Sequence, residues 1–190
     1  MKENPIHVYT EIVELLDGIR RDSKNFIECG TCAGHTVLAA KQAGFEKIHS
    51  MEIDPIRYYD TLKKFLDAEE PMGNQIFLYL GSSQLILPYI LQFIPTDEPS
   101  VFFLDAHDHI HGISTYDELL AIKTHILKTH TILIDDIPLY FGDGSQLKEF
   151  ILTINPNYKF ELLDCPIRLA NPLPHLSGKG MRLLAYIELM

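Results

Sequence analysis

Residues 25–36 read NFIECGTCAGHT, and this stretch decides the fold. A strand-like run, Phe26 to Cys29, carries the acid Glu28. Gly30 and Gly34 follow, and a helix opens near His35 and Thr36. Strand, glycine turn and helix in that order start a parallel α/β unit, whose ligands gather at the strand's carboxyl end. The turn itself leaves three chemistries open: a nucleotide cofactor, thiol redox at Cys29-x-x-Cys32, or a metal.

The same rhythm repeats along the chain. Val8 to Arg21 has helical spacing; Lys47 to Asp54 reads as a strand, and Pro55 opens the next helix at its first position. Gln75–Leu80, Ser100–Leu104 and Thr131–Ile134 are further buried-strand candidates, separated by helical stretches at Ser83–Phe93 and Tyr116–Lys128, with a last helix at Gln146–Ile154. Tyr158–Cys165 and Met181–Met190 are strands with no helix between them, so they pair antiparallel or lie apart. The expected fold is an open, doubly wound, Rossmann-like α/β sheet, mostly parallel, of seven strands with an antiparallel strand at the C-terminal end.

Composition narrows the function. At 190 residues with 46% hydrophobic side chains, one domain with its own core is expected. Nothing reads as a secretory signal or a bilayer span, and three cysteines are too few for a disulfide framework, so a cytoplasmic protein is expected. The net charge of −10, with its basic residues dispersed, disfavours nucleic acid and suits a small-molecule or cationic ligand. Neither a membrane nor a nucleic acid is an expected partner, and a homodimer stays open.

Physical chemistry then separates the three readings of the turn. A pyrophosphate binder needs closely spaced glycines, whereas here Cys32 stands at the middle position and Glu28 would repel phosphates. A carboxylate there attracts an ammonium or bonds a hydroxyl. For the thiols, strand alternation makes Cys29 a buried side chain, and Cys165 alone offers no second pair for zinc.

Glu28-x-Gly30-x-x-x-Gly34, followed by Met51-Glu52-Ile53-Asp54-Pro55, resembles the class I S-adenosylmethionine-dependent methyltransferases. Gly81-Ser82-Ser83-Gln84 is similar to the adenine-side turn of the catechol-type O-methyltransferases, and Asp105 with Asp135-Asp136 is similar to their metal-binding strand ends. The resemblance covers residues 25 to about 137 and implies a single methyltransferase-like domain over 1–190, with an N-terminal helix in 1–24 and a Rossmann-like core in 25–190. It also implies that Glu28, Gly30, Gly34, Thr36, Glu52, Ser83, Gln84 and Asp105 bind S-adenosylmethionine, and that Asp105, Asp135 and Asp136 hold a divalent cation. Three hard carboxylates suit Mg²⁺. The helix-capping role falls to Asp54 rather than Glu52, because Asp54 immediately precedes Pro55.

Two departures stand out. Asp136 replaces an asparagine, and the lysine that serves catechol enzymes as base is missing from Ala106 to His111. That segment carries His107, His109 and His111 instead, closer in style to metal-dependent sugar O-methyltransferases. His107 is the candidate general base, and Asp105 is a candidate for catalysis as well as for cofactor and metal binding. The competing reading of Asp136 is a turn cap before Pro138. The expected function is metal-assisted O-methylation of a small-molecule hydroxyl; a metal-dependent hydrolase and a non-catalytic cofactor-binding module are the rivals.

Overall fold

Five short runs rich in β-branched and aromatic residues form the parallel part of the sheet: β1 (Asn25–Cys29), β2 (Lys47–Glu52), β3 (Ile76–Leu80), β4 (Ser100–Leu104) and β7 (Thr131–Ile134). Two short strands, β5 (His107–Asp108) and β6 (Gly112–Ile113), make a separate hairpin, and β8 (Lys159–Leu163) and β9 (Arg182–Tyr186) complete the main sheet. The computed structural model describes residues 10–66, 75–108, 112–164 and 182–188. The strand order is β3-β2-β1-β4-β7-β9-β8, with β9 antiparallel to both neighbours. This is the doubly wound, seven-stranded sheet expected from sequence, with one strand reversed. The Pro/Gly-rich loop before β9, with Cys165, lies outside the described residues.

Both faces of the sheet are covered, which is why the central strands read as near-continuous apolar runs. Phe26, Ile48, Val101, Phe103 and Leu133 face α1 (Thr10–Arg20), α2 (His35–Gln42) and α3 (Pro55–Leu66), where Leu16, Val37 and Phe65 close the layer. Ile27, Met51, Phe102, Leu104 and Ile132 face the opposite way, against α4 (Ser83–Ile90), α5 (Thr115–Thr124) and α7 (Ser145–Leu152). Each fully buried Leu, Ile or Phe contributes about 1.5–3 kcal/mol. Among the described residues no helix is long and apolar enough to cross a membrane.

Local chemistry sets the helix ends. Asp54 Oδ1 accepts the Ile56 amide at 2.8 Å, so Asp54 caps α3 as expected. α5 stops at Thr124 instead of running to Lys128, because the Lys128 ammonium turns back to donate to the carbonyls of Lys123 and His125. α4 ends at Ile90, and the chain continues to Phe93 in tight turns. The one-turn helix α6 (Ile137–Tyr140) and the β5–β6 hairpin were not foreseen from sequence.

Candidate active site

The carboxyl ends of β1, β2, β3, β4 and β7 open into one cleft of about 560 Å³. That size is typical of small-molecule sites. Its floor is the turn between β1 and α2. Gly30, at φ 100°, brings the backbone so close to β4 that a Cβ would lie 2.6 Å from the Asp105 carbonyl oxygen. At Gly34, φ 78°, a Cβ would meet the Phe65 ring at 2.8 Å. Cys32 sits between them at φ 47°, a conformation costing a non-glycine residue roughly 1–2 kcal/mol. The turn is held by Glu52, whose Oε2 accepts the Cys32 amide at 2.8 Å, and by Thr61, whose hydroxyl donates to the Cys32 carbonyl at 2.8 Å. Cys29 is buried and Cys32 exposed.

Behind the turn, Glu28 is buried in β1. The Ser50 hydroxyl donates to its Oε2 at 2.5 Å, and Thr36 bonds the same carboxyl. Burial pushes its pKa up to about 8 despite those hydrogen bonds, with the Glu52 charge adding to the rise. The residue expected as an exposed anion for an ammonium is instead a buried acid one layer below the cleft.

The acids after β4 and β7 divide unexpectedly. Asp105 Oδ1 lies 3.4 Å from His107 Nδ1, and His107 Nε2 lies 3.1 Å from Asp136 Oδ2. One ligand atom from each of the three falls within 4.8 Å of the others. Asp136 reaches this group because its backbone is left-handed, at φ 55°. Its carboxylate does not cap α6, against the turn-cap reading. Asp135 is drawn away: its Oδ2 accepts from Arg182 Nε and Nη2, each at 3.0 Å, and its Oδ1 takes the Asp136 amide. The grouping of Asp105, Asp135 and Asp136 expected from sequence is therefore replaced by Asp105, His107 and Asp136. His109 and His111 lie outside the described residues. Desolvation, then the charges of Asp135, Asp136 and Glu28, holds the Asp105 carboxyl well above the ordinary range, with Arg182 pulling the other way.

No protein-family model matches the sequence, and no curated protein sequence matches it. Solved structures do match the fold. The O-methyltransferase TomG of Streptomyces achromogenes, involved in tomaymycin synthesis and solved with S-adenosylmethionine, is 13% identical, with TM-score 0.67 over 96% of this chain and 82% of its own. An O-methyltransferase from Bacillus cereus, solved with S-adenosylhomocysteine, is 12% identical, with TM-score 0.67 over 97% and 84%. The fold is the one these O-methyltransferases share. A precorrin 8w decarboxylase from Methanobacterium thermoautotrophicum shares it too, at 15% identity and TM-score 0.60 over 97% and 93%. The reaction must therefore be argued from the site.

Within this methyltransferase fold, Gly30, Glu52, Ser83, Gln84 and Asp105 line the cleft, whereas Glu28, Gly34 and Thr36 do not. Glu52 carries two backbone amides, from Cys32 and from Asp54, and each oxygen keeps a lone pair for a ligand hydroxyl. Ser83 is turned to Glu118 at 2.5 Å, and the Gln84 amide donates to Asp117 at 2.8 Å. His107 and Asp136 line the cleft as well, and the Tyr140 ring packs against His107 at 4.5 Å between centroids. Sequence reasoning missed Glu118 and Arg182. Thr115, Glu118, Leu119 and Ile122 recur at helical spacing, which marked Glu118 as core-facing; nothing local linked Arg182 to Asp135.

Proposed function

We propose that this chain binds S-adenosylmethionine and transfers its methyl group to a hydroxyl of a small molecule, with a divalent cation at Asp105, His107 and Asp136. One observation carries the reading: Glu52 and the glycine turn open into the same cavity as the Asp105–His107–Asp136 group. A cofactor clamp and a cation-type donor set share one space.

The donor chemistry fits both groups. Glu52 and Asp136 line the cleft with carboxylates, suiting a sulfonium and opposing phosphates; the cleft's Arg57 is already engaged by Asp54 at 3.8 Å. Two carboxylates and an imidazole form a sound ligand set for a divalent ion. When bound, S-adenosylmethionine supplies an electrophilic methyl group on positive sulfur. A cation at the three residues supplies the lowered hydroxyl pKa that O-methylation needs. Glu52 would hold the cofactor's ribose, while Gly30 permits the close backbone approach beneath it. His107 takes a ligand position rather than the base role expected from sequence, because both its nitrogens already face carboxylates. Tyr140 fixes the ring's tilt.

The hydrolase reading uses the metal group alone and leaves the glycine turn and Glu52 idle. Calorimetry decides the first step: S-adenosylhomocysteine should bind, with NAD and ATP much weaker. Transfer of labelled methyl from S-adenosylmethionine to a panel of phenolic and sugar hydroxyls, lost in excess EDTA, supports the rest. Preferential binding of ATP or NAD would sink the reading.

A further inference from the structure

Glu118 is fully buried in α5, beneath the cleft, and its carboxyl joins three elements. Ser83, at the start of α4, donates to Oε1 at 2.5 Å. Ser114, which follows the β5–β6 hairpin, lies 2.7 Å from the same oxygen. The Cys29 thiol, at the end of β1, acts on the same carboxyl. Both serines line the cleft beside this carboxyl, their hydroxyls 3.3 Å apart: Ser83 belongs to the turn after β3, and Ser114 closes the hairpin that carries His107.

Counting hydrogens shows which form of the acid fits. Ser114 Oγ is 2.9 Å from the Ala106 carbonyl and 2.7 Å from Glu118 Oε1, yet a hydroxyl has one hydrogen. Given to the peptide oxygen, which has no hydrogen of its own, it leaves the shorter contact to be made by a hydrogen on Glu118. Oε2 has no hydrogen-bond partner among the described residues, which costs a buried charged carboxylate more than a neutral acid. Burial raises this carboxyl's pKa, in accord with that count.

We propose that Glu118 is a positioning residue: as a neutral acid it ties the turn after β3 to the hairpin bearing His107, so that the cofactor and cation halves of the cleft keep their spacing. This rests on the reading of the cleft as a cofactor and cation site. Through Ser83 the tether holds the Gly81–Gln84 turn. Through Ser114 and the Ala106 peptide it holds the strand that presents His107 between Asp105 and Asp136.

The test measures S-adenosylhomocysteine by calorimetry and Mn²⁺ by electron paramagnetic resonance on the full chain. Glu118→Gln is uncharged and can place its amide nitrogen where Oε1 stands, with one hydrogen for each serine hydroxyl, so both affinities should stay within about twofold of the parent, whereas Glu118→Ala should weaken both by about tenfold. Ser83→Ala should weaken mainly the nucleoside, and Ser114→Ala mainly Mn²⁺; these two decide the matter if Glu118→Ala does not fold. A purely structural role would lower the melting temperature and leave the folded protein's affinities intact, overturning the proposal. Glu118→Gln as damaging as Glu118→Ala would overturn the neutral acid. Failure of the parent protein to bind S-adenosylhomocysteine would count against the cofactor reading instead, and the tether would then stand or fall on Mn²⁺ affinity in Glu118→Ala and Ser114→Ala.

Discussion

Arg182 reaches from β9 to place Nε and Nη2 each 3.0 Å from Oδ2 of Asp135, with the two side chains only 10% and 12% exposed. Adjacent aspartates thereby receive opposite assignments. Asp135 is paired within the protein, while Asp136 turns its carboxylate to the cleft beside His107.

Removing the two carboxylates should separate these roles. Asp135→Asn removes the carboxylate charge that Arg182 Nε and Nη2 meet and should cost about 3–5 kcal/mol of stability, as expected for breaking a buried pair. Divalent-ion affinity should change little. Asp136→Asn should do the reverse, leaving chemical denaturation near the parent and weakening Mn²⁺ binding by about tenfold or more. Equal effects of the two variants on Mn²⁺ would restore the all-aspartate site expected from sequence.

An imidazole among the ligands alters metal choice. Mn²⁺ and Co²⁺ should raise the melting temperature more than Mg²⁺ at equal concentration, because nitrogen donors favour later first-row ions. At 100 times the dissociation constant the stabilisation is about 2.7 kcal/mol. His107→Ala should erase the preference while cofactor affinity holds. A parent protein that responds more strongly to Mg²⁺ would show that His107 is no ligand.

Glu28 predicts a specific pH response. Folded, it keeps its proton up to about pH 8; unfolded, it loses it near 4.5. Between those values the folded state binds more protons, so its contribution is fully present below about 4.5 and is lost as pH rises to about 8. At ~1.4 kcal/mol per pH unit the span is at most ~5 kcal/mol. Glu28→Gln should flatten the stability profile across that window, measured by urea denaturation. An unchanged slope would mean that the buried carboxyl ionises freely in the folded protein.

At the opposite end of the sheet the sign reverses. The Ser100 amide donates to His130 Nδ1 at 3.1 Å, so the ring's hydrogen is on Nε2, facing His125 Nδ1 at 2.9 Å. His125 in turn keeps its hydrogen toward the Ile94 carbonyl. Burial, then the charges of His125 and Lys128, pushes the His130 pKa down to about 3, against a hydrogen bond to the Leu127 backbone that favours the protonated ring. The unfolded ring takes a proton near 6.5, so stability should fall as pH drops from about 6.5 toward 3. His130→Gln should lose much of that acid sensitivity, and a parent profile flat over this range would refute the relay.

Much of the architecture was written in local pattern. Alternation of buried runs and amphipathic stretches specifies strand, helix and order, because backbone hydrogen bonding and apolar burial act on neighbours in sequence. The glycine turn, Glu52 at the second strand's end and the α3 cap at Asp54 were legible for the same reason. Side-chain allegiance across the fold was not. Strand ends bring Asp105, Asp135 and Asp136 together, but a left-handed residue at Asp136 and a guanidinium 47 positions beyond Asp135 decide which carboxylates face the cleft. Glu28 likewise reads as a ligand-facing anion until packing around Ser50 and Thr36 buries it. The chain by itself determined where the strands end and which chemical groups stand there. Only tertiary structure decided which of those groups pair with one another, because electrostatics and desolvation depend on distances in space that no local pattern encodes.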